Sequence, residues 1–183
     1  MTAMEPDPVE PAVVDTSELA EPDDPTIEAT RMREVLGHYP TGVVVITAPG
    51  DPTPAGLAVG SFTSVSLDPP LVGFFVGHGS STWPKIEAAG RFCANILGDH
   101  QEELCRLFAA KGADRFGSIA WRPGTSGSPI IDDAVAWIDC RIEQVVEAGD
   151  HWLVLGRVLA LDTHESVRTP LVFHRGGYGR VSS

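Results

Sequence analysis

Residues 57–76 read LAVGSFTSVSLDPPLVGFFV and contain two strand-like runs in direct succession. In the first run, Leu57 to Leu67, Ser and Thr alternate with apolar residues. This alternation predicts a strand with small hydroxyl donors on one face and core side chains on the other. Asp68-Pro69-Pro70 predicts a turn, and the second run, Leu71 to Val76, is largely apolar. A strand that follows another through a short turn is typical of an antiparallel sheet.

The rest of the chain favours the same architecture. Short β-branched or apolar runs indicate further strands at 41–47, 92–97, 134–146, 152–161 and 171–174. Apolar residues at helical spacing indicate three short helices, over about 26–39, at 84–89 and from Asp99 onward, whereas 111–131 predicts a long loop rich in Gly, Pro and Ser. Six or seven strands with three short helices predict a mainly β fold, a closed antiparallel sheet with helices at its ends.

The charge of the chain is concentrated at its N-terminus. Of 183 residues, 25 are acidic and 13 are basic, which gives a net charge of −12. Residues 1–25 hold eight acids, five prolines and no base, so we expect a disordered acidic tail followed by one folded domain at 26–183. Without a basic face, the chain is not expected to bind nucleic acid or anionic lipid.

Several other classes of protein are disfavoured by motifs. The chain has neither an apolar run long enough for a membrane span nor a signal-peptide pattern, and its three cysteines are odd in number and far apart. These features predict a cytoplasmic protein with reduced thiols. The six histidines lack ligand spacing, so no metal site is predicted, and neither a phosphate-binding P-loop nor a Rossmann fingerprint is present.

Two polar segments are candidate binding sites. The first is residues 60–66, whose hydroxyls equally suit an ordinary solvated strand face. The second is Gly79-Ser80-Ser81-Thr82, directly before Trp83-Pro84 and a predicted helix. Free N–H groups at a helix N-terminus attract an anion, but simple N-capping would explain the same hydroxyls. The residues alone leave both interpretations open.

An ordered set of motifs resembles the flavin reductase-like family. Its elements are Tyr-Pro-Thr-Gly-Val-Val-Val-Ile-Thr at 39–47, Ser-Phe-Thr-Ser-Val-Ser-Leu-Asp-Pro-Pro-Leu-Val at 61–72, Gly-Arg-Phe-Cys-Ala-Asn-Ile-Leu at 90–97, Gly-Asp-His at 149–151, Pro-Leu-Val-Phe at 170–173 and Gly-Gly-Tyr at 176–178. The resemblance covers residues 28–181. It implies an FMN-binding split β-barrel with antiparallel, Greek-key-like strands and a homodimer that carries flavin near its subunit interface. The implied activity is an NAD(P)H-dependent flavin reductase that supplies reduced flavin to a separate oxygenase.

The resemblance also implies roles for individual residues. The flavin ring and ribityl chain would lie along 59–64, its phosphate at 80–82, and the nicotinamide beside His151, the one implied catalytic residue, and Tyr178. In this reading hydride passes between the two cofactors, and the protein orients them. The implied flavin-binding residues are Thr41, Val59, Gly60, Ser61, Phe62, Thr63, Ser64, Ser80, Ser81, Thr82 and Asn95, with Lys111 or Arg115 as a cation for the phosphate.

The sequence leaves open the identity of both cofactors and two other functions. The flavin is FMN or FAD, and the reductant is NADH or NADPH. A flavin-binding barrel without reductase activity is a second reading of the same motifs. A third is an FMN-dependent oxidase of the pyridoxamine-phosphate type, which would require a basic cluster for the substrate phosphate that the 13 dispersed bases do not display.

Overall fold

The computed structural model describes residues 26–110, 115–164 and 169–181. The predicted tail at 1–25 and Lys111 therefore lie outside the described residues. The helices are α1 (Ala29–Leu36), α2 (Trp83–Ala89) and α3 (Glu102–Ala109), the last entered through a 3-10 turn at Asp99–Gln101. The strands are β1 (Thr41–Gly42), β2 (Val44–Ala48), β3 (Ala55–Val59), β4 (Thr63–Leu67), β5 (Pro70–Gly77), β6 (Arg91–Ile96), β7 (Trp121–Pro123), β8 (Pro129–Ile131), β9 (Ala136–Ala148), β10 (His151–Thr163), β11 (Leu171–His174) and β12 (Gly177–Arg180).

A seven-stranded sheet is the frame of the fold. Its strand order is β3-β2-β6-β9-β10-β5-β4, and all neighbouring strands are antiparallel. The ladder between β9 and β10 is the longest, because both strands run for 13 residues on either side of the Gly149 turn. The predicted mainly β, antiparallel fold with three short helices is confirmed. The predicted closure of the sheet is corrected, because among the described residues no ladder joins the edge strands β3 and β4.

Apolar clusters cover both faces of the central strands. One cluster is built around Phe74, whose ring meets Phe92 at 5.2 Å and Trp83 at 6.5 Å, both edge to face. The other includes Val45 and Phe108 and packs α3 against the opposite face. Strand β2 is buried at every position, which explains why four of its five residues are apolar, and its one polar residue, Thr47, is hydrogen-bonded inside the core.

Two predictions about local structure were wrong. The run from Leu57 to Leu67 is divided into β3 and β4, and residues 60–62 between them leave the ladder. The predicted loop at 111–131 contains the hairpin of β7 and β8, whose strands are three residues each. Such short strands carry little periodic signal, and tertiary contacts decide them.

Asn95 holds this hairpin to the central sheet. Its side chain is fully buried, its Oδ1 accepts from the N–H of Ile131 at 2.8 Å, and its Nδ2 donates to the carbonyls of Val45 and Pro129 and to Thr47 Oγ1. The expected flavin contact of Asn95 is therefore corrected to a structural role, because its amide is committed inside the core.

Helix α1 contrasts with the rest of the fold. The predicted helix is present, but none of its residues is buried, and Met32, Val35 and Leu36 are each more than half exposed. Among the described residues, no helix is long and apolar enough to cross a bilayer.

Candidate functional site

A groove of about 370 Å³ lies where β3, β5 and α3 meet. One wall is the end of β3 and the two residues after it, and the other is the end of β5 and the turn before α2. Phe108 and Ala109 of α3 close one side. The structure brings together seven of the predicted flavin-binding residues in this groove: Val59, Gly60, Ser61, Ser80, Ser81, Thr82 and Arg115.

Arg115 is the cation of the groove. Its Nη1 donates to the carbonyl of Gly56 at 2.6 Å and to Thr82 Oγ1 at 3.2 Å, and its Nη2 donates to the carbonyl of Ala110 at 2.6 Å. These bonds fix the guanidinium beside the turn before α2. Its buried Nε has no hydrogen-bond partner within the described part of the chain. A buried donor without a partner is costly, which favours a ligand acceptor at this position.

The three hydroxyls before α2 have different partners. Ser80 Oγ accepts from the N–H of Trp83 at 3.2 Å, so Ser80 is the residue that caps α2. Thr82 makes no capping bond and faces Arg115, while Ser81 is exposed. The two interpretations of this turn therefore apply to different residues: Ser80 caps α2, whereas Ser81 and Thr82 make no capping bond and can donate to a ligand.

Ser61 ties the segment after β3 to β5. Its Oγ accepts from the N–H of Phe75 at 3.0 Å and donates to the carbonyl of the same residue at 3.1 Å. This side chain takes the place of a ladder partner, which explains why the predicted long strand breaks here. Ser61 lines the groove with most of its hydrogen-bonding capacity already used.

A smaller cavity of about 210 Å³ continues the groove past Ser61. It is lined by the predicted residues Thr41, Gly60, Ser61, Phe62 and Thr63. A Cβ at Gly60 would lie 2.9 Å from Thr41 Oγ1, so a larger residue there would displace the Thr41 side chain from this cavity. Ser64 is exposed on β4 and is absent from the lining of both cavities as far as the structure is described.

His151 opens β10 beside the groove. It pairs across the ladder with Gly77, which lines the groove, and its Nε2 lies 3.6 Å from the position of a Cβ on that glycine. Its Nδ1 is 2.5 Å from Asp150 Oδ1, and this hydrogen bond lowers the pKa of the Asp150 carboxyl. The carboxylate orients the ring, since it occupies Nδ1 and leaves Nε2 on the groove side.

Tyr178 lies elsewhere. Its hydroxyl is 3.2 Å from Cys105 Sγ on α3, the Arg106 guanidinium lies 4.8 Å from its ring centre, and the residue lines a separate cavity of about 210 Å³. The bond with the thiol, together with burial, raises the pKa of Tyr178 to about 12. Within one chain, the structure does not bring Tyr178 into the groove with the other predicted residues.

Comparison with known protein families decides the relationship of the chain. Residues 36–182 match the model described as the flavin reductase like domain. The chain belongs to this family. The predicted resemblance is thereby confirmed over most of the chain.

Individual members of the flavin reductase-like family are close. A protein named flavin reductase from Pseudomonas putida is 52% identical over 84% of this chain and 90% of its own length. The reductase subunit of a flavin-dependent monooxygenase from Mycobacterium tuberculosis is 44% identical over 83% of this chain and 82% of its own. A Streptomyces globisporus NADH:FAD oxidoreductase, solved with NAD and FAD fragments, superposes with a TM-score of 0.80 at 35% identity, covering 87% of this chain and 98% of that one.

Sequence reasoning missed several groove residues of this family member. Phe75 lines the groove with 40% of its surface exposed, while the adjacent Phe74 is fully buried. Successive strand residues point to opposite faces, so two phenylalanines in a row already signalled one on the outer face. Phe108 belongs to the helix predicted from Asp99 onward, and its ring also closes the groove.

A larger cavity of about 420 Å³ lies at the far end of β10. Its lining includes Asp132, Asp133 and Asp162 together with Trp137 and Arg122. Three carboxylates beside one guanidinium disfavour a phosphate there. The groove at the start of β10 is smaller, but it is lined by seven of the predicted flavin-binding residues.

Proposed function

We propose that this protein is an NAD(P)H-dependent flavin reductase that supplies reduced flavin to a separate flavin-dependent oxygenase. One observation carries the proposal most directly: the described lining of the groove holds no Asp or Glu and has Arg115 with the hydroxyls of Ser81 and Thr82 at one end, in a chain with a net charge of −12. The family membership and the reductase subunits among its relatives support the same activity.

In the proposed complex, the flavin lies along the groove with its phosphate toward the turn before α2. Ser81, Thr82 and the unpartnered Nε of Arg115 are the donors for the phosphate. The backbone around Val59 and Gly60 and the ring of Phe75 face the isoalloxazine, while Thr41, Phe62 and Thr63 line its far end. When bound, the flavin accepts a hydride from the nicotinamide.

His151 is the residue proposed to contact the nicotinamide. Its Nδ1 is held by Asp150, so Nε2 is available to the ligand at the edge of the groove. Tyr178 lies away from the groove of its own chain. Its proposed contact with the nicotinamide therefore requires the dimer described next, in which its cavity would face the groove of the partner subunit. Holding two rings in contact is the main task of such side chains.

A homodimer with a split-barrel core is part of the proposal. The outer face of β4, β5 and β10 leaves Val65, Phe75 and Leu159 between 40 and 48% exposed, with Val65 at 47%. An uncovered apolar face of this kind marks an interface, and Phe75 joins it directly to the groove. A second copy is the proposed occupant, and sedimentation should give the mass of two chains.

A cytoplasmic location agrees with three free, buried cysteines.

The decisive experiment is reduction of bound flavin under anaerobic conditions. The purified protein loaded with FMN or FAD should lose its yellow colour when NADH or NADPH is added, and oxygen should restore the colour. A protein that stays yellow with both nucleotides is a flavin-binding module without reductase activity. Oxidation of pyridoxamine phosphate in place of NAD(P)H would establish the third alternative and contradict the proposal.

A further inference from the structure

A second cavity adjoins the flavin groove on its phosphate side. This distal cavity, of about 260 Å³, is lined by residues 53–56, Thr82, Lys85, Arg115 and Phe116. Thr82 and Arg115 line both spaces. A ligand whose phosphate lies at these two residues therefore continues into the distal cavity if it extends beyond that phosphate.

The charge of the distal cavity suits a second anionic group. Lys85 and Arg115 are two of only 13 basic residues in the chain, and no Asp or Glu among residues 26–110 and 115–164 lines the cavity. Lys85 is exposed on α2 and makes no ion pair with any carboxylate of the described residues. Arg115 has three of its donors engaged by the protein and its Nε assigned to the first phosphate, so Lys85 is the cation of the described lining that is available to a second anionic group.

An aromatic surface lies beside these cations. Phe116 is half-buried, and its ring meets Phe108 at 5.3 Å and Trp121 at 6.0 Å, both nearly perpendicular. These contacts hold Phe116 where it lines the cavity. An aromatic surface next to a cation is the combination that a nucleotide requires, since the base packs on the ring and the phosphate pairs with the cation.

We propose that the distal cavity receives the adenylate half of FAD, with the second phosphate at Lys85 and the adenine against Phe116. This inference rests on the proposed function and makes FAD the preferred flavin of the protein. FMN ends at the first phosphate and makes none of the contacts of the distal cavity. FAD gains a charge-assisted contact and an aromatic contact there.

The test is the affinity of the full chain for riboflavin, FMN and FAD, measured by flavin fluorescence. Wild-type protein should bind FAD at least ~10-fold more tightly than FMN, the size of effect expected from one charge-assisted contact. Lys85→Met should remove most of that preference and change FMN affinity by less than about twofold. Arg175→Met, which removes an exposed cation in the turn between β11 and β12, is the matched control and should leave all three affinities unchanged.

A competition experiment needs no variant. Adenosine 5′-monophosphate should displace FAD and leave riboflavin bound, because only FAD occupies the distal cavity. Equal binding of FMN and FAD, or equal weakening of both by Lys85→Met, would overturn the inference and leave the reductase proposal standing. Failure to bind any of the three flavins would overturn both.

Discussion

Two polar clusters of this protein differ in how many of their hydrogen-bond donors have partners within the protein. The core network consists of Thr47 and Asn95 with the backbone of 129–131, and it is fully buried with every donor of Asn95 engaged by protein acceptors. The groove cluster consists of Ser81, Thr82 and Arg115, and within the described residues it retains an Nε without a hydrogen-bond partner and an exposed hydroxyl.

This difference distinguishes polar groups that stabilise the fold from polar groups that are available to a ligand. A buried amide that satisfies neighbouring backbone groups stabilises the fold, and its removal leaves those groups without partners. Donors that line a cavity and lack protein acceptors are available to a ligand. The sequence does not distinguish the two clusters, because in both of them polar residues stand close to apolar runs.

The largest expected effect is on the core network. Asn95→Ala should lower the free energy of unfolding by about 3 kcal/mol, because it leaves the N–H of Ile131 without its acceptor and opens a cavity. Urea denaturation measures the loss. Gln144→Ala, which removes an exposed amide from β9, should stay within ~0.5 kcal/mol of wild type. A wild-type stability for Asn95→Ala would contradict the structural role.

The next effect is on the groove cluster. Replacing Ser81 and Thr82 together by Ala should raise the Kd for FMN by at least ~10-fold and leave riboflavin nearly unchanged, because only FMN carries the phosphate. Ser80 is kept, since it caps α2. Ser118→Ala, at an exposed position between α3 and β7, is the control. Equal weakening of both ligands would show that the two hydroxyls support the helix rather than the phosphate.

His151 tests whether an exposed side chain at the groove edge acts on the second substrate. His151→Ala should raise the KM for the pyridine nucleotide by about tenfold, the value of one hydrogen bond, while kcat changes little if the contact is equal in ground and transition states. Thermal stability should remain near wild type, because the side chain is 46% exposed. A destabilised variant with an unchanged KM would show that His151 stabilises the fold and does not contact the nucleotide.

The burial of Tyr178 is intermediate between the core network and the groove cluster, and its hydroxyl makes one polar contact, with the Cys105 thiol. In a Tyr39→Phe background it is the only remaining tyrosine, and absorbance at 295 nm should show a pKa of about 12. Because the folded pKa lies above the ordinary value of 10, this contribution to stability is complete below pH 10 and is lost as the pH rises through about 12. Cys105→Ala should return the pKa toward 10, and an unchanged value would exclude the thiol as its main cause.

The smallest effect is expected from the acidic tail. Deletion of residues 1–25 should leave flavin reduction and stability nearly unchanged, since the segment carries eight acids without a base to pair them. A loss of more than about 1 kcal/mol would place the tail among the structural elements.

Local patterns predicted most of the strands and all three helices. The run at 41–47 spans β1 and most of β2, and the run at 92–97 lies one residue from β6 at each end, because buried strands leave mostly apolar sequences. The division of 57–67 was missed, since it depends on the bond between Ser61 and the backbone of Phe75, 14 residues further along the chain.

The sequence by itself determined the antiparallel, mainly β class, the charge balance and the family. Only the tertiary structure decided that Asn95 supports the core and that Arg115 completes the groove. Arg115 reaches Gly56 and Thr82 across 59 and 33 residues, and Asn95 reaches Ile131 across 36. Strand alternation restricts a side chain to one of two faces, but its hydrogen-bond partners are set by segments distant in the chain, and those partners separate a structural polar group from a binding one.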